Sequence, residues 1–126
     1  MSIKRRFCRC DVCGNFVSFI NDAGTDLVCC GKKMTQLTPN TADASHEKHV
    51  PVAARAGDKL TVTVGSVPHP MAEEHHIAWI VVVQDGRVQR TVHLPAEAPT
   101  ADFTVGEGPV TVYAFCNLHG LWMGEF

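Results

Sequence analysis

Two pairs of cysteines near the start of the chain constrain its fold more than any other feature. One pair lies in the C-x2-C-G segment Cys10–Gly14, and the other is Cys29-Cys30, with no residue between its members. So short a segment buries too little apolar surface to fold without a covalent or metal link. Adjacent cysteines are poor disulfide partners, but both can bind one metal in a distorted tetrahedron. The pattern therefore predicts a four-thiolate site, and geometry alone leaves zinc and iron open.

A polar connector follows this cysteine module. The stretch Thr38–Ser45 is rich in Thr, Asn, Asp and Pro, which interrupt regular structure and suit a linker. We therefore expect a module over residues 1–37, a linker over 38–46 and a second domain over 47–126.

The second domain has the pattern of an antiparallel β-sandwich. Its apolar runs are short, several alternate with polar residues, and none has a helical period. The dipeptide Asp85-Gly86 marks a tight hairpin. The predicted strands are Val50–Ala54, Leu60–Val64, Ile77–Val83, Val88–Leu94, Phe103–Val105 and Val110–Phe115. We expect a mostly β protein, with a small metal-stapled β module followed by an immunoglobulin-like β-sandwich.

Composition excludes several functional classes. The 126 residues carry 11 basic and 13 acidic side chains, a net charge of −2 that gives no sign of nucleic-acid binding. No apolar run is long enough to span a membrane, and the N-terminus lacks the apolar segment of a secretory signal. We expect a cytoplasmic protein, where reduced cysteines act as ligands rather than in disulfides.

Histidines cluster where the predicted strands end. Sandwich loops can converge at one pole, so these imidazoles and the thiol of Cys116 could share a metal. The choice of His75 over its neighbour His76 stays open, because adjacent residues of a strand face opposite ways. His46 and His93 are set aside with His76. The candidates are His49, His69, His75 and His119.

One resemblance of the final loop is to the cupredoxins. The spacing Cys116-x2-His119-x3-Met123 is similar to their copper-binding loop, in which two histidines and one cysteine are joined by a weak axial methionine. That resemblance implies a blue-copper electron carrier. It leaves the other candidate histidines and the four-cysteine module without a role.

A second resemblance covers essentially the whole chain. The cysteine module resembles desulforedoxin, and three further segments occur in the order found in desulfoferrodoxin, the two-iron class of superoxide reductase. These segments are Glu47–Val52, Gly65–Met71 and Cys116–Gly120. The resemblance implies one iron bound by the four module cysteines. It implies a second iron bound by four equatorial imidazoles and one axial thiolate. The implied ligands are Cys10, Cys13, Cys29 and Cys30 for the first iron, and His49, His69, His75, His119 and Cys116 for the second.

The same resemblance implies one-electron reduction of superoxide to hydrogen peroxide without dioxygen release. It implies a rubredoxin-like electron donor and a homodimer. Lys48 lies next to His49, and its ammonium could attract the anion and order a proton-donating water. Glu47 could cap the ferric iron, as its counterpart does in the family. Cys8 is surplus, and we expect it to be a packing residue or a free thiol.

Overall fold

The computed structural model describes residues 5–41, 49–65, 69–92 and 97–126, and every regular element in these ranges is a β-strand. The chain divides into two compact units, with the division between Thr38 and Pro39. Across the described ranges, the chain forms no helix with the length and hydrophobicity that membrane crossing requires.

The first unit is built from very short strands. The central strand β1 pairs antiparallel with β2 on one side and β5 on the other, while β3 and β4 form a separate two-stranded ladder. Only Phe7, Cys8 and Cys10 are buried among the apolar residues described in this unit. The strands are β1 Phe7–Arg9, β2 Phe16–Ser18, β3 Val28–Cys29, β4 Lys32–Lys33 and β5 Thr35–Leu37.

The second unit is a sandwich of a three-stranded and a four-stranded sheet. The sheet orders are β10-β7-β6 and β12-β11-β8-β9, and every pairing is antiparallel. Both sheets contribute side chains to one buried core, including Leu60, Val62, Ile80 and Val112. The strands are β6 Pro51–Ala56, β7 Lys59–Val64, β8 Ile77–Gln84, β9 Arg87–Val92, β10 Thr100–Thr104, β11 Thr111–Cys116 and β12 Gly120–Glu125.

This architecture confirms the predicted fold class. The Asp85-Gly86 turn between β8 and β9 has φ angles of 47° and 81°, both positive as a type I′ hairpin turn requires. The sequence prediction missed β12, the edge strand that follows the Cys116 loop. Its residues are bounded by glycines and do not alternate cleanly, so they carry a weak strand signal.

Antiparallel pairing determines which strand ends meet. In the three-stranded sheet the start of β6 lies beside the end of β7, because Pro51 pairs with Val64. In the four-stranded sheet the starts of β8 and β12 lie beside the end of β11, because Cys116 pairs with both Ile77 and Gly120. Val64, Ile77 and Cys116 belong to the same core cluster, so these ends of the two sheets lie together. Segments just outside these ends are therefore brought to one pole.

Candidate metal centres

The four cysteines of the first unit converge on one point. Cys10 and Cys13 lie in the turn after β1, and Cys29 ends β3. Cys30 has a φ of 52°, in the left-handed region, so the chain reverses there and both adjacent thiols point to the same side. The four sulfur atoms all lie within 4.8 Å of one another. This spacing suits four ligands of a single ion.

Hydrogen bonds to the sulfurs give the four thiols unequal acidities. Backbone N–H groups of Cys13 and Val12 lower the pKa of the Cys10 thiol to about 6. Hydrogen bonds with other cysteines of the cluster raise the pKa of the Cys30 thiol to about 12. The bond with Cys13 contributes most, and the bond with Cys10 contributes next. The Cys10 thiolate can therefore form without a metal. Four thiolates this close together repel one another and need a bound cation. Four clustered thiolates fit a tetrahedral zinc or iron ion.

Two further residues of this unit bear on the thiol cluster. Asn15 donates from its backbone N to Cys13 Sγ at 3.5 Å and from its side-chain Nδ2 to Cys29 Sγ at 3.6 Å. Asn15 is not among the site residues predicted from the sequence. Cys8 is buried in β1 and lies outside the cluster of four, as expected for a packing residue.

Four imidazole rings of the second unit form a closed square. The ring centroids are 4.7 Å apart for His49 and His69, 4.7 Å for His69 and His75, 5.0 Å for His75 and His119, and 4.9 Å for His119 and His49. The diagonal between His49 and His75 is 6.4 Å. Neighbouring rings are inclined by 61° to 84°, so each pair meets edge to face.

The thiol of Cys116 lies beside this square. Its Sγ is 3.7 Å from His119 Nδ1, which is in turn 3.2 Å from His49 Nε2. Single donor atoms of His49, His75, Cys116 and His119 all lie within 4.8 Å of one another. The structure therefore brings together the four candidate histidines and the cysteine.

For His69 and His75, the surroundings of the ring indicate which nitrogen is available to bind a metal. His69 Nδ1 is 2.7 Å from the carbonyl oxygen of Pro70, to which it donates, and this leaves Nε2 as the basic nitrogen. His75 Nε2 is buried and has no hydrogen-bond partner among the described residues. A buried imidazole nitrogen of this kind is costly unless it binds something. Imidazole and thiolate donors together suit iron, copper or zinc.

The centre is buried on one side and open on the other. His49 is 3% exposed, His69 4% and Cys116 0%, whereas His119 is exposed. Trp122 stacks on His49 at 4.7 Å and donates from its indole N–H to the carbonyl oxygen of His119. This support from Trp122 was not predicted from the sequence, because the residues of β12 carry a weak strand signal.

A β-bulge explains why His75 rather than His76 enters the centre. Between β11 and β8, Phe115 pairs with Trp79 while Cys116 pairs with Ile77, which leaves Ala78 as an extra residue. The bulge shifts the alternation of β8 by one residue, so that Ile77 joins the core beside Cys116. His75, two residues earlier, then lies on the same side.

His76 has a different role. Its Nδ1 bonds to the carbonyl oxygens of Ala72 and Glu73 and so closes the loop before β8. His46 and His93 lie outside the described residues, as do Glu47 and Lys48.

The position of Met123 does not favour the cupredoxin alternative. In the β11–β12 ladder, Met123 lies opposite Tyr113, and Cys116 lies opposite Gly120. Opposing residues share a face and successive residues alternate, so Met123 projects from the other face of the sheet. There it is buried rather than placed as an axial ligand.

Comparison with known proteins agrees with both centres. The family model described as Desulfoferrodoxin matches residues 41–125, and that described as Desulfoferrodoxin, N-terminal domain, matches residues 4–37. A desulfoferrodoxin from Syntrophotalea carbinolica is 45% identical over 125 residues, covering 99% of each chain. A superoxide reductase from Pyrococcus horikoshii is 40% identical over 111 residues, covering 73% of this chain and 96% of its own. The solved structure of the superoxide reductase from Treponema pallidum matches with a TM-score of 0.82 at 30% identity, covering 96% of this chain and 98% of that one. The chain has one centre of four cysteines and one of histidines with Cys116, and the two family models match nearly its whole length. It therefore belongs to the desulfoferrodoxin family.

Proposed function

We infer that this chain is a superoxide reductase. It adds one electron and two protons to superoxide and releases hydrogen peroxide, and no dioxygen forms because no second superoxide is oxidised. The observation that carries this function is the square of four imidazoles with the buried thiol of Cys116 beside it. The superoxide reductases among its relatives support the same activity.

The chain carries two iron ions, one bound by four cysteines and one by four histidines and a cysteine. The ligands that we propose are the four thiolates of the first unit and the five donors at the pole of the sandwich. When bound there, ferrous iron supplies the electron and, with five protein donors, one remaining coordination position for the substrate. The proposed ligands are Cys10, Cys13, Cys29 and Cys30, then His49, His69, His75, His119 and Cys116.

The donor set suits the reduction of a small anion. Neutral imidazoles add no negative charge, so the reduced site stays cationic and attracts superoxide. The thiolate of Cys116 is electron-rich and favours loss of an electron from the metal that it binds. The buried rings of His49 and His69 exclude water from one side, and the exposed His119 lies on the side open to solvent.

The two residues that precede His49 in the sequence, Glu47 and Lys48, have proposed roles in the reaction. The ammonium of Lys48 attracts superoxide and orders a water that donates a proton to the reduced product. Glu47 would provide a carboxylate ligand for ferric iron at this site, because carboxylate oxygens suit ferric iron. Their adjacency to His49 in the sequence and the family membership support both roles.

The oxidised site needs an external reductant, for which we propose a rubredoxin-like protein. We further propose a homodimer, on the family resemblance, and a cytoplasmic location. None of the six cysteines, all of which lie in the described ranges, forms a disulfide, as a reducing compartment favours. The domain boundaries that we propose are 1–37, 38–46 and 47–126, and the family models that match residues 4–37 and 41–125 support this division.

Stopped-flow mixing tests the activity. Reduced protein mixed with superoxide should yield peroxide in a one-to-one ratio with superoxide consumed, with no oxygen release. Release of one oxygen for every two superoxide ions would identify a dismutase and overturn the proposal. Copper in place of iron at the Cys116 site, measured by metal analysis, would restore the cupredoxin alternative.

A further inference from the structure

Asn117 connects the two segments that carry His75 and Cys116. Its side-chain Oδ1 accepts a hydrogen bond from the backbone N of His76 at 2.8 Å, and its Nδ2 donates to the carbonyl oxygen of Glu74 at 3.1 Å. Its own backbone N donates to the carbonyl oxygen of His76 at 3.2 Å. One residue next to Cys116 thus holds the residues on both sides of His75.

These bonds continue the sheet beyond its last regular pair. The β11–β8 ladder ends with Cys116 opposite Ile77, just after the bulge. Beyond that pair β11 has ended, and the backbone N–H of His76 donates to a side chain rather than to a strand carbonyl. The amide oxygen of Asn117 takes the place of that carbonyl, so the ladder gains one further step through a side chain.

The loop that carries His75 is closed mainly on itself. Ala72 and His75 exchange backbone hydrogen bonds of 2.9 and 3.2 Å, and the ring of His76 bonds back to Ala72 and Glu73. These contacts give the loop its shape but leave its position relative to Cys116 to be determined. Together with the Cys116–Ile77 pair that ends the ladder, the three bonds of Asn117 fix that position.

We propose that Asn117 is a positioning residue that holds ligand His75 in register with ligand Cys116 and so sets the geometry of the mixed histidine and cysteine iron site. The inference rests on the ligand set of the proposed function. Residues that orient metal ligands typically contribute 10- to 100-fold to metal affinity, and we expect an effect of about that size.

Two variants and one control test the inference. Asn117→Leu removes both side-chain bonds while keeping the number and branching of side-chain heavy atoms, and Asn117→Asp keeps the acceptor for His76 N–H but loses the donor to Glu74. The matched control is Gln89→Met, because Gln89 also bonds a carbonyl oxygen through its amide, that of Thr104, but does so away from the site. Each full-length protein is loaded with iron, and chelator competition, the thiolate-to-iron absorption band and the thermal midpoint of the metal-free protein are measured.

We expect Asn117→Leu to lower the affinity of the mixed site roughly 10- to 100-fold and to shift its absorption band, with Asn117→Asp between Leu and the parent. The four-cysteine iron in the same sample should be unaffected, and Gln89→Met should match the parent at both irons. A Leu variant with parental affinity and an unshifted band would overturn the inference. So would a lower thermal midpoint as its only change, which would make Asn117 merely structural. Absence of iron from the mixed site of the parent would instead refute the proposed function.

Discussion

The two metal centres differ in what holds their ligands. In the first unit, two of the four ligand cysteines, Cys13 and Cys30, are exposed, and few apolar side chains are buried around them. In the second unit, the ligands lie at the ends of strands that share one large core, and Cys116 is fully buried. The metal therefore stabilises the structure of the first unit, whereas the structure of the second unit prepares the site for the metal.

The centres also differ in charge. Four thiolates outweigh the charge of a ferrous or ferric ion, so the first centre is negative and repels superoxide. One thiolate and four neutral imidazoles leave the second centre positive in both oxidation states. This difference favours the second centre as the one that superoxide approaches.

Loss of a cysteine ligand should have the largest effect, and only on the first unit. We expect Cys10→Ser to remove the four-cysteine iron and to unfold its module, because the bound metal provides most of the folding free energy of such a small unit. Superoxide reduction with a chemical reductant should persist. The measurements are iron content, which should fall from two ions per chain to one, and the visible spectrum.

The control for this experiment is Cys8→Ala. Cys8 is a buried thiol of the same unit that lies outside the cluster, so this variant should keep both irons. If Cys10→Ser also empties the histidine site, the two centres are not independent and the comparison fails.

Much of both sites follows from the sequence, because strand ends and cysteine spacings are local patterns. Asp85-Gly86 predicts its hairpin, and the histidines at strand ends predict convergence at one pole. The choice between His75 and His76 could not be made this way, because it depends on a bulge at Ala78 that the pairing with β11 creates. The role of Asn117 was hidden for the same reason, since its partners are distant in sequence.

A moderate effect should show which of the two centres attracts an anion. Lys48→Ile should slow superoxide capture roughly tenfold and weaken its dependence on salt, because one steering charge is lost. Re-reduction of the four-cysteine iron by dithionite should be unchanged. The measurement is the second-order rate of stopped-flow superoxide capture at several ionic strengths.

Lys59→Ile is the control for charge, because it removes one positive charge elsewhere in the same domain, where Lys59 pairs with Asp102 at 3.3 Å. It should leave the capture rate as it is. Equal rates for the parent and Lys48→Ile would remove the steering role of Lys48.

The smallest expected effect is a change in the reduction potential of the four-cysteine iron. The side chain of Asn15 donates a hydrogen bond to Cys29 Sγ, and such a bond stabilises the reduced, more negative state more than the oxidised state. Asn15→Leu removes this bond and leaves the backbone bond from Asn15 to Cys13 Sγ in place. The reduction potential of the four-cysteine iron should fall by up to about 60 mV, a tenfold change for a one-electron couple.

Spectroelectrochemical titration measures both irons in the same sample, and the exposed Asn21 of the same unit provides the control Asn21→Leu. The potential of the histidine site should stay constant in both variants, because its ligands come from the other unit. A potential of the four-cysteine iron that does not change in Asn15→Leu would mean that the backbone bonds alone determine it. An equal shift at both irons would contradict the independence of the two centres, since a bond to one sulfur of the first unit would then be affecting a site built on the core of the second.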